Sequence, residues 1–301
     1  MNSTRDLAEA TSRSPLTGRA ATRRSASSVL VETGVRYLGY LFLVLFAAMF
    51  LVPFVYMVSI SLRPNMEILT FPISVIPERP GIGAYQNLFV GTAIGNWLLN
   101  SFFVTAVVTV AQVFTSSAAG FAFARGDFPG RNFIFWLLMS AIMVPFTVTM
   151  IPLYILIARL GWVNSLAALI VPAAASIFGT FLCRQFILSI PSSYDEAAII
   201  DGASIFGVYW RIHLPLMAPV LATLAVLTFL GTWNDFVWPM LVLQSNTQKT
   251  ITLGLASMLS YTGGASIRMA GATLTFFPTL IVFIALQRYV IRGFMLSGVK
   301  G

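Results

Sequence analysis

Six stretches of this sequence are long and apolar enough to cross a bilayer, and nothing else about the chain restricts its fold so tightly. A crossing helix needs about 20 mostly apolar residues, because hydrocarbon offers no water to an open backbone N–H or C=O. The stretches run over Tyr37 to Ser61, about Trp97 to Ala124, about Phe133 to Ala158, about Ser165 to Cys183, about Pro215 to Leu243 and about Ala270 to Gln287. Apolar residues make up 57% of the chain and charged residues 9%. Soluble domains average about 45 to 50% and 25%, so water is not this chain's main solvent. The expected fold is all-α and integral to the membrane, with six transmembrane helices.

The basic residues set an expected orientation. The net charge of +8 could point to nucleic acid, but such binding needs Lys and Arg gathered on one face, whereas here they flank apolar runs. The N-terminal tail, the turns after spans 2 and 4 and the C-terminal tail hold 13 Lys and Arg, against 5 in the alternate loops. The positive-inside rule then places both termini in the cytoplasm. Trp97, Trp136, Trp162 and Trp238 lie near expected span ends, where an indole prefers the headgroup level. Residues 1–28 are rich in Ser, Thr, Ala and Arg without the apolar core of a signal peptide. Residues 1–36 are therefore expected to be an uncleaved, cytoplasmic, disordered basic tail, and 37–301 one six-span domain. The long connections at about 62–96 and 244–270 fall outside, and the one at 184–214 falls inside.

That internal loop reads as a short helix with a stop. Pro191 can open it, Ser192 or Ser193 can cap its free amides, and Asp195 and Glu196 sit in its first turn, where the helix dipole favours negative charge. Gly202 is placed to end it in the left-handed conformation, and Pro215 starts the next span where a missing N–H costs nothing.

Glu196-Ala197-Ala198, then Gly202, Ile212 and Leu214-Pro215, resembles at every position the EAA motif of bacterial ABC importer membrane subunits. Asn100-Ser101, Ala122-Phe123-Ala124-Arg125, Ile151-Pro152-Leu153-Tyr154, Asp201-Gly202-Ala203 and Trp233-Asn234-Asp235 resemble the carbohydrate-uptake subfamily. Gln287-Arg288-Tyr289, Arg292-Gly293 and the closing Gly298-Val299-Lys300-Gly301 are similar to the C-terminus of its G-type maltose permeases. Phe294-Met295-Leu296-Ser297 departs from the pattern, since relatives more often carry small residues there. The resemblance covers about residues 37–301. It implies a type I importer permease fold whose loop 184–214 carries a coupling helix for the ATPase, with Glu196, Ala197, Ala198, Asp201, Gly202, Ala203, Ile212, Leu214 and Pro215 as coupling residues.

Further candidates are few. Asp235, beside Asn234 and Trp233 in the fifth span, is costly in hydrocarbon, so it either lines a solute pathway or anchors the span's outer end beside Trp238. Gln112, Thr115, Ser116 and Ser117 fit interhelical hydrogen bonding better than ligand contact. Cys183, the sole cysteine, reads as packing. His213, the sole histidine, occupies an unconstrained motif position and takes no assigned function; with it alone, no His-based metal site or triad can be built. The only lysines are Lys249 and Lys300, neither in a phosphate-cradling loop, so no cofactor is expected on this chain and ATP with magnesium would belong to a partner ATPase.

The resemblance implies an assembly with a second, homologous but distinct permease, two ATP-binding cassette subunits and an extracellular sugar-binding protein. A permease for a non-sugar solute is the nearest alternative. An ion-coupled secondary transporter would need intramembrane ionisable relays, and only Asp235 lies within a confident span.

Overall fold

The computed structural model describes residues 26–64, 76–258 and 264–298. Every regular element among them is helical. The residues up to Phe54 form one compact unit and those from Val55 onward a second. The first helix, α1 (Ala26–Ser61), begins well inside the segment expected to be a disordered tail, so residues 26–36 are helical, and 1–25 lie outside the described residues. Its side chains from 33 to 55 are all exposed, as suits an apolar helix whose solvent is lipid.

In the second unit, the short α2 (Gly83–Gly91) leads into α3 (Ile94–Arg125), the axis of the bundle. The third expected span is two helices, α4 (Arg131–Ile142) and α5 (Phe146–Arg159), which meet at 101° across the break before Pro145. Proline fixes its own φ and pushes the preceding residue out of the helical region, which ends α4 there. The fourth span divides more gently into α6 (Ala167–Ala173) and α7 (Ile177–Leu188), the latter capped by the Ser176 hydroxyl, which accepts from Gly179 N at 3.0 Å.

After α8 (Ser193–Ile200) and α9 (Ile205–Val208) comes a π-helical turn, Tyr209–His213, then α10 (Leu214–Leu216) and α11 (Ala218–Trp233). The chain bends by 72° between the 205–216 run and α11. The fifth span does not continue to Leu243: α11 stops at Trp233 and α12 (Val237–Val242) resumes after a break. Asn234 Nδ2 donates to Leu230 O at 2.8 Å, so a side chain takes up a carbonyl at the helix end. The helices α13 (Ile251–Ser257) and α14 (Gly264–Gly298) complete the fold. By length and apolarity four helices can cross a bilayer, or six if each bent pair is one span.

The centre of the unit is α3 packed against α7 and α11, with α11 also against α14. Gly120 permits the closest approach, since a Cβ there would run into Cys183 and the α7 backbone. Cys183 is fully buried in the core that also holds Phe121, Val208, Tyr209, Met217 and Leu224. Trp97 and Trp238, expected at headgroup level, are buried instead; their indole N–H groups donate to Asn246 O at 2.6 Å and Ala168 O at 2.9 Å. An indole whose N–H finds a protein carbonyl has no need of the interface.

Candidate functional site

Two places in the second unit gather polar chemistry. The first surrounds α8. Its N-cap is Ser192, but neither Ser192 nor Ser193 caps it by side chain as expected; Asp195 and Glu196 do lie in the first turn. Its C-terminus closes as a Schellman motif: Ala203 N donates to Ala198 O at 2.9 Å and Gly202 N to Ile199 O at 3.0 Å, with Gly202 at φ 84°. The turn therefore requires the left-handed conformation at Gly202. Glu196, Ala197, Asp201 and Pro215 are exposed, whereas Ala198, Ala203, Ile212 and Leu214 are half-buried. Ala198, Ala203 and Leu214 pack on the Cys183 core. Ile200, 85% exposed, and Phe206, 73% exposed, present large apolar side chains close in sequence to Glu196 and Asp201.

Beneath this exposed face lies a polar chain with no sequence precursor. Arg125, the last residue of α3, pairs through Nε with Asp195 Oδ2 at 2.6 Å and donates from Nη2 to Ile190 O at 2.5 Å. The other Asp195 oxygen lies 2.5 Å from His213 Nε2, and the His213 side chain is 0% exposed. A carboxylate can only accept, so Nε2 carries the hydrogen. Next to this, Arg184 donates from Nε to Phe123 O at 3.2 Å and lies 4.0 Å over the Phe135 ring. His213, to which the sequence assigned nothing, is thus a structural hub, and only a long-range contact could have revealed it.

The second place is a cavity of about 330 Å³ between α3, α5, α6, α11 and α12. Its polar lining includes Ser101, Thr105, Gln112, Thr232, Asp235 and Thr250; the aromatic walls are Phe146 and Trp238. Gln112 donates to Ala173 O at 2.8 Å and accepts from Thr228 Oγ1 at 2.9 Å, and Thr115 donates to Ala174 O at 3.0 Å, so both join helices. Thr105 Oγ1 and Thr250 Oγ1 are buried with no hydrogen-bond partner among the described residues. Asp235 lines the cavity while accepting from the backbone N–H groups of Phe236, Val237 and Trp238 at the start of α12. It combines the two roles that the sequence left open.

Its expected companions do not join it. Trp233 is 1% exposed in a core with Phe229 and Ile251, donating from Nε1 to Thr275 O at 3.1 Å, and Asn234 is exposed; neither lines the cavity. A helix places successive residues about 100° apart, so three neighbours cannot share a face. Among the described residues no three His, Cys, Asp or Glu side chains gather where an ion could be held.

A bundle with broken spans, an exposed helical turn at one end and a polar cavity inside defines a multi-pass membrane transport protein. Residues 112–295 match the family of binding-protein-dependent transport system inner membrane components, and the chain belongs to that family. It is 37% identical over 268 residues, 88% of this chain and 95% of the relative, to the arabinooligosaccharides transport system permease protein AraQ of Halalkalibacterium halodurans. It is 34% identical over 238 residues, 76% of this chain and 85% of the relative, to the sn-glycerol-3-phosphate transport system permease protein UgpE of Pectobacterium atrosepticum. Among solved structures, a bacterial ABC transporter involved in the import of the acidic polysaccharide alginate shares the fold, with a TM-score of 0.75 at 22% identity over 88% of this chain and 98% of that one. The chain is thus an ABC importer permease subunit of type I fold.

Proposed function

We propose that this subunit forms, with a second homologous permease, the membrane path for a carbohydrate or a related polyol or sugar phosphate, driven by ATP hydrolysed on two partner cassette subunits and fed by an extracellular binding protein. The observation that carries this reading is near end-to-end similarity, at 34 to 37% identity, to permeases named for arabinooligosaccharide and glycerol phosphate transport. The loop 184–214 and both termini face the cytoplasm, in keeping with the excess of Lys and Arg on that side. There α8 and its Gly202 turn dock on the cassette subunit, with Glu196, Ile200 and Phe206 as the exposed contacts. Closure of the cassettes on ATP displaces α8, and the spans rock so that the cavity opens outward; hydrolysis resets them. Asp235, Thr105 and Thr250 contribute to the solute's path, where sugar hydroxyls meet an acceptor and two unengaged hydroxyls.

The test is reconstitution of the subunit with its own cassette and binding-protein partners in proteoliposomes. Uptake of labelled arabinooligosaccharide or glycerol 3-phosphate is expected only with both ATP and binding protein. Uptake of a peptide in place of either would overturn the substrate class. Uptake driven by an ion gradient without ATP would overturn the energy source.

A further inference from the structure

The chain of contacts that begins at Asp195 does not end at His213. The His213 ring lies 5.0 Å from that of Phe121 on α3, and Phe121 lies 5.3 Å from Tyr209 at the start of the π turn. Tyr209 Oη and Ser117 Oγ are hydrogen-bonded at 2.8 Å, and Trp210 lies 6.3 Å from Phe114. On α3, Phe114, Ser117, Phe121 and Arg125 follow the spacing of a single helix face, so α3 is clasped along three turns by the π turn and, at its end, by α8. The Asp195 carboxylate is mostly buried, whereas Glu196 and Ile200 of the same helix are exposed. Docking and clasping therefore use opposite faces of α8.

A π turn holds one residue more than an α turn and can revert to α pairing. Reversion would swing His213 by about 100° and break its bond to Asp195. The segment between α8 and α11 thus has two discrete arrangements, which a coupling element requires.

We propose that Asp195 and His213 are positioning residues of the transport cycle: with Arg125 they lock α8 to α3 and to the turn leading into α11, so that displacement of α8 reaches the spans and is not absorbed in the loop. This rests on the reading that α8 docks on the cassette subunit.

The experiment compares His213→Leu, His213→Gln and Asp195→Asn in the reconstituted transporter, reading solute moved per ATP hydrolysed, with membrane abundance as control. His213→Leu is expected to lower that ratio by roughly tenfold, within the range of coupling between linked sites, while ATP hydrolysis persists. His213→Gln, whose amide N–H can replace the Nε2 donor, is expected to recover most of it. A wild-type ratio for His213→Leu, or equal failure of the Leu and Gln variants, overturns the proposal. Should His213→Leu fail to accumulate, Asp195→Asn keeps the side-chain volume and an acceptor for His213 while removing the charge facing Arg125; a wild-type ratio there overturns the proposal equally. A cysteine at Ile200 distinguishes the underlying reading. If it does not cross-link to the cassette subunit in an otherwise wild-type assembly, the docking reading fails, whatever the ratios show.

Discussion

The α8 end of the bundle and the cavity between α3 and α11 are both polar islands in an apolar molecule, yet they treat their polar groups in opposite ways. Around α8 both Asp195 oxygens are engaged, Arg125 bonds Ile190 O besides its carboxylate, and the helix carbonyls are closed by the Gly202 turn. In the cavity, Thr105 and Thr250 keep hydroxyls that no described residue satisfies. A saturated network holds one geometry and resists deformation as a unit. An unsatisfied, roomy polar site admits water or a transient ligand, and a transport path needs that looseness. The difference separates a part built to pass force from a part built to let something through.

Four substitutions sharpen or break this contrast, taken from the largest expected effect. Arg125→Met would leave the Asp195 carboxylate half-paired and mostly buried. Breaking a fully buried pair costs about 3 to 5 kcal/mol, and partial exposure lowers the expected loss to about 2 to 3 kcal/mol, read as reduced thermal stability of the detergent-purified subunit. An unchanged melting temperature would mean that the α8 end is not saturated in the sense described.

Gly202→Val comes next. A Cβ at Gly202 would meet nothing within 4 Å, so any effect arises from φ alone. Strain of about 1 to 3 kcal/mol is expected for a β-branched residue at positive φ, with loss of cassette-subunit co-purification and of uptake. Gly202→Asn, which tolerates the left-handed region, should retain much of both. Normal assembly and transport by Gly202→Val would remove α8 as the coupling helix.

Asp235→Asn keeps an oxygen for the α12 amides and removes the charge from the cavity. The expected result is a several-fold change in apparent uptake affinity with normal membrane abundance. A fall in abundance alone would make Asp235 an anchor only. Smallest in stability is Thr105→Val. Replacing a buried, unpartnered hydroxyl by a methyl should leave stability unchanged or raise it by about 1 kcal/mol, while uptake affinity falls. A clear loss of stability would show that the hydroxyl is satisfied and the cavity is not the loose site described here.

Much of this molecule was legible before any folding. The apolar runs locate the membrane-crossing segments because hydrocarbon forbids an unsatisfied backbone, a condition that each segment meets alone. Gly202 was legible for a similar reason: helix, glycine and following chain are neighbours in sequence, and the Schellman bonds close within six residues. The breaks in the third and fifth spans were less so. Pro145 and Pro239 stand in the sequence, but whether a proline in an apolar run bends a helix or ends it depends on how its neighbours re-satisfy the freed carbonyls.

What only the tertiary structure decided is which polar residues meet. Arg125, Asp195 and His213 lie on three elements far apart along the chain, and each alone reads as a solvated or unassigned residue. Trp233, Asn234 and Asp235 are adjacent in sequence and were expected to act together, yet the helix end sends one into a core, one to the surface and one to the cavity. Crossing a bilayer is a property of composition over about 20 residues, which a sequence carries in full. A buried ion pair or a cavity depends on which helix faces are brought together, and that is settled only when α3, α7 and α11 pack.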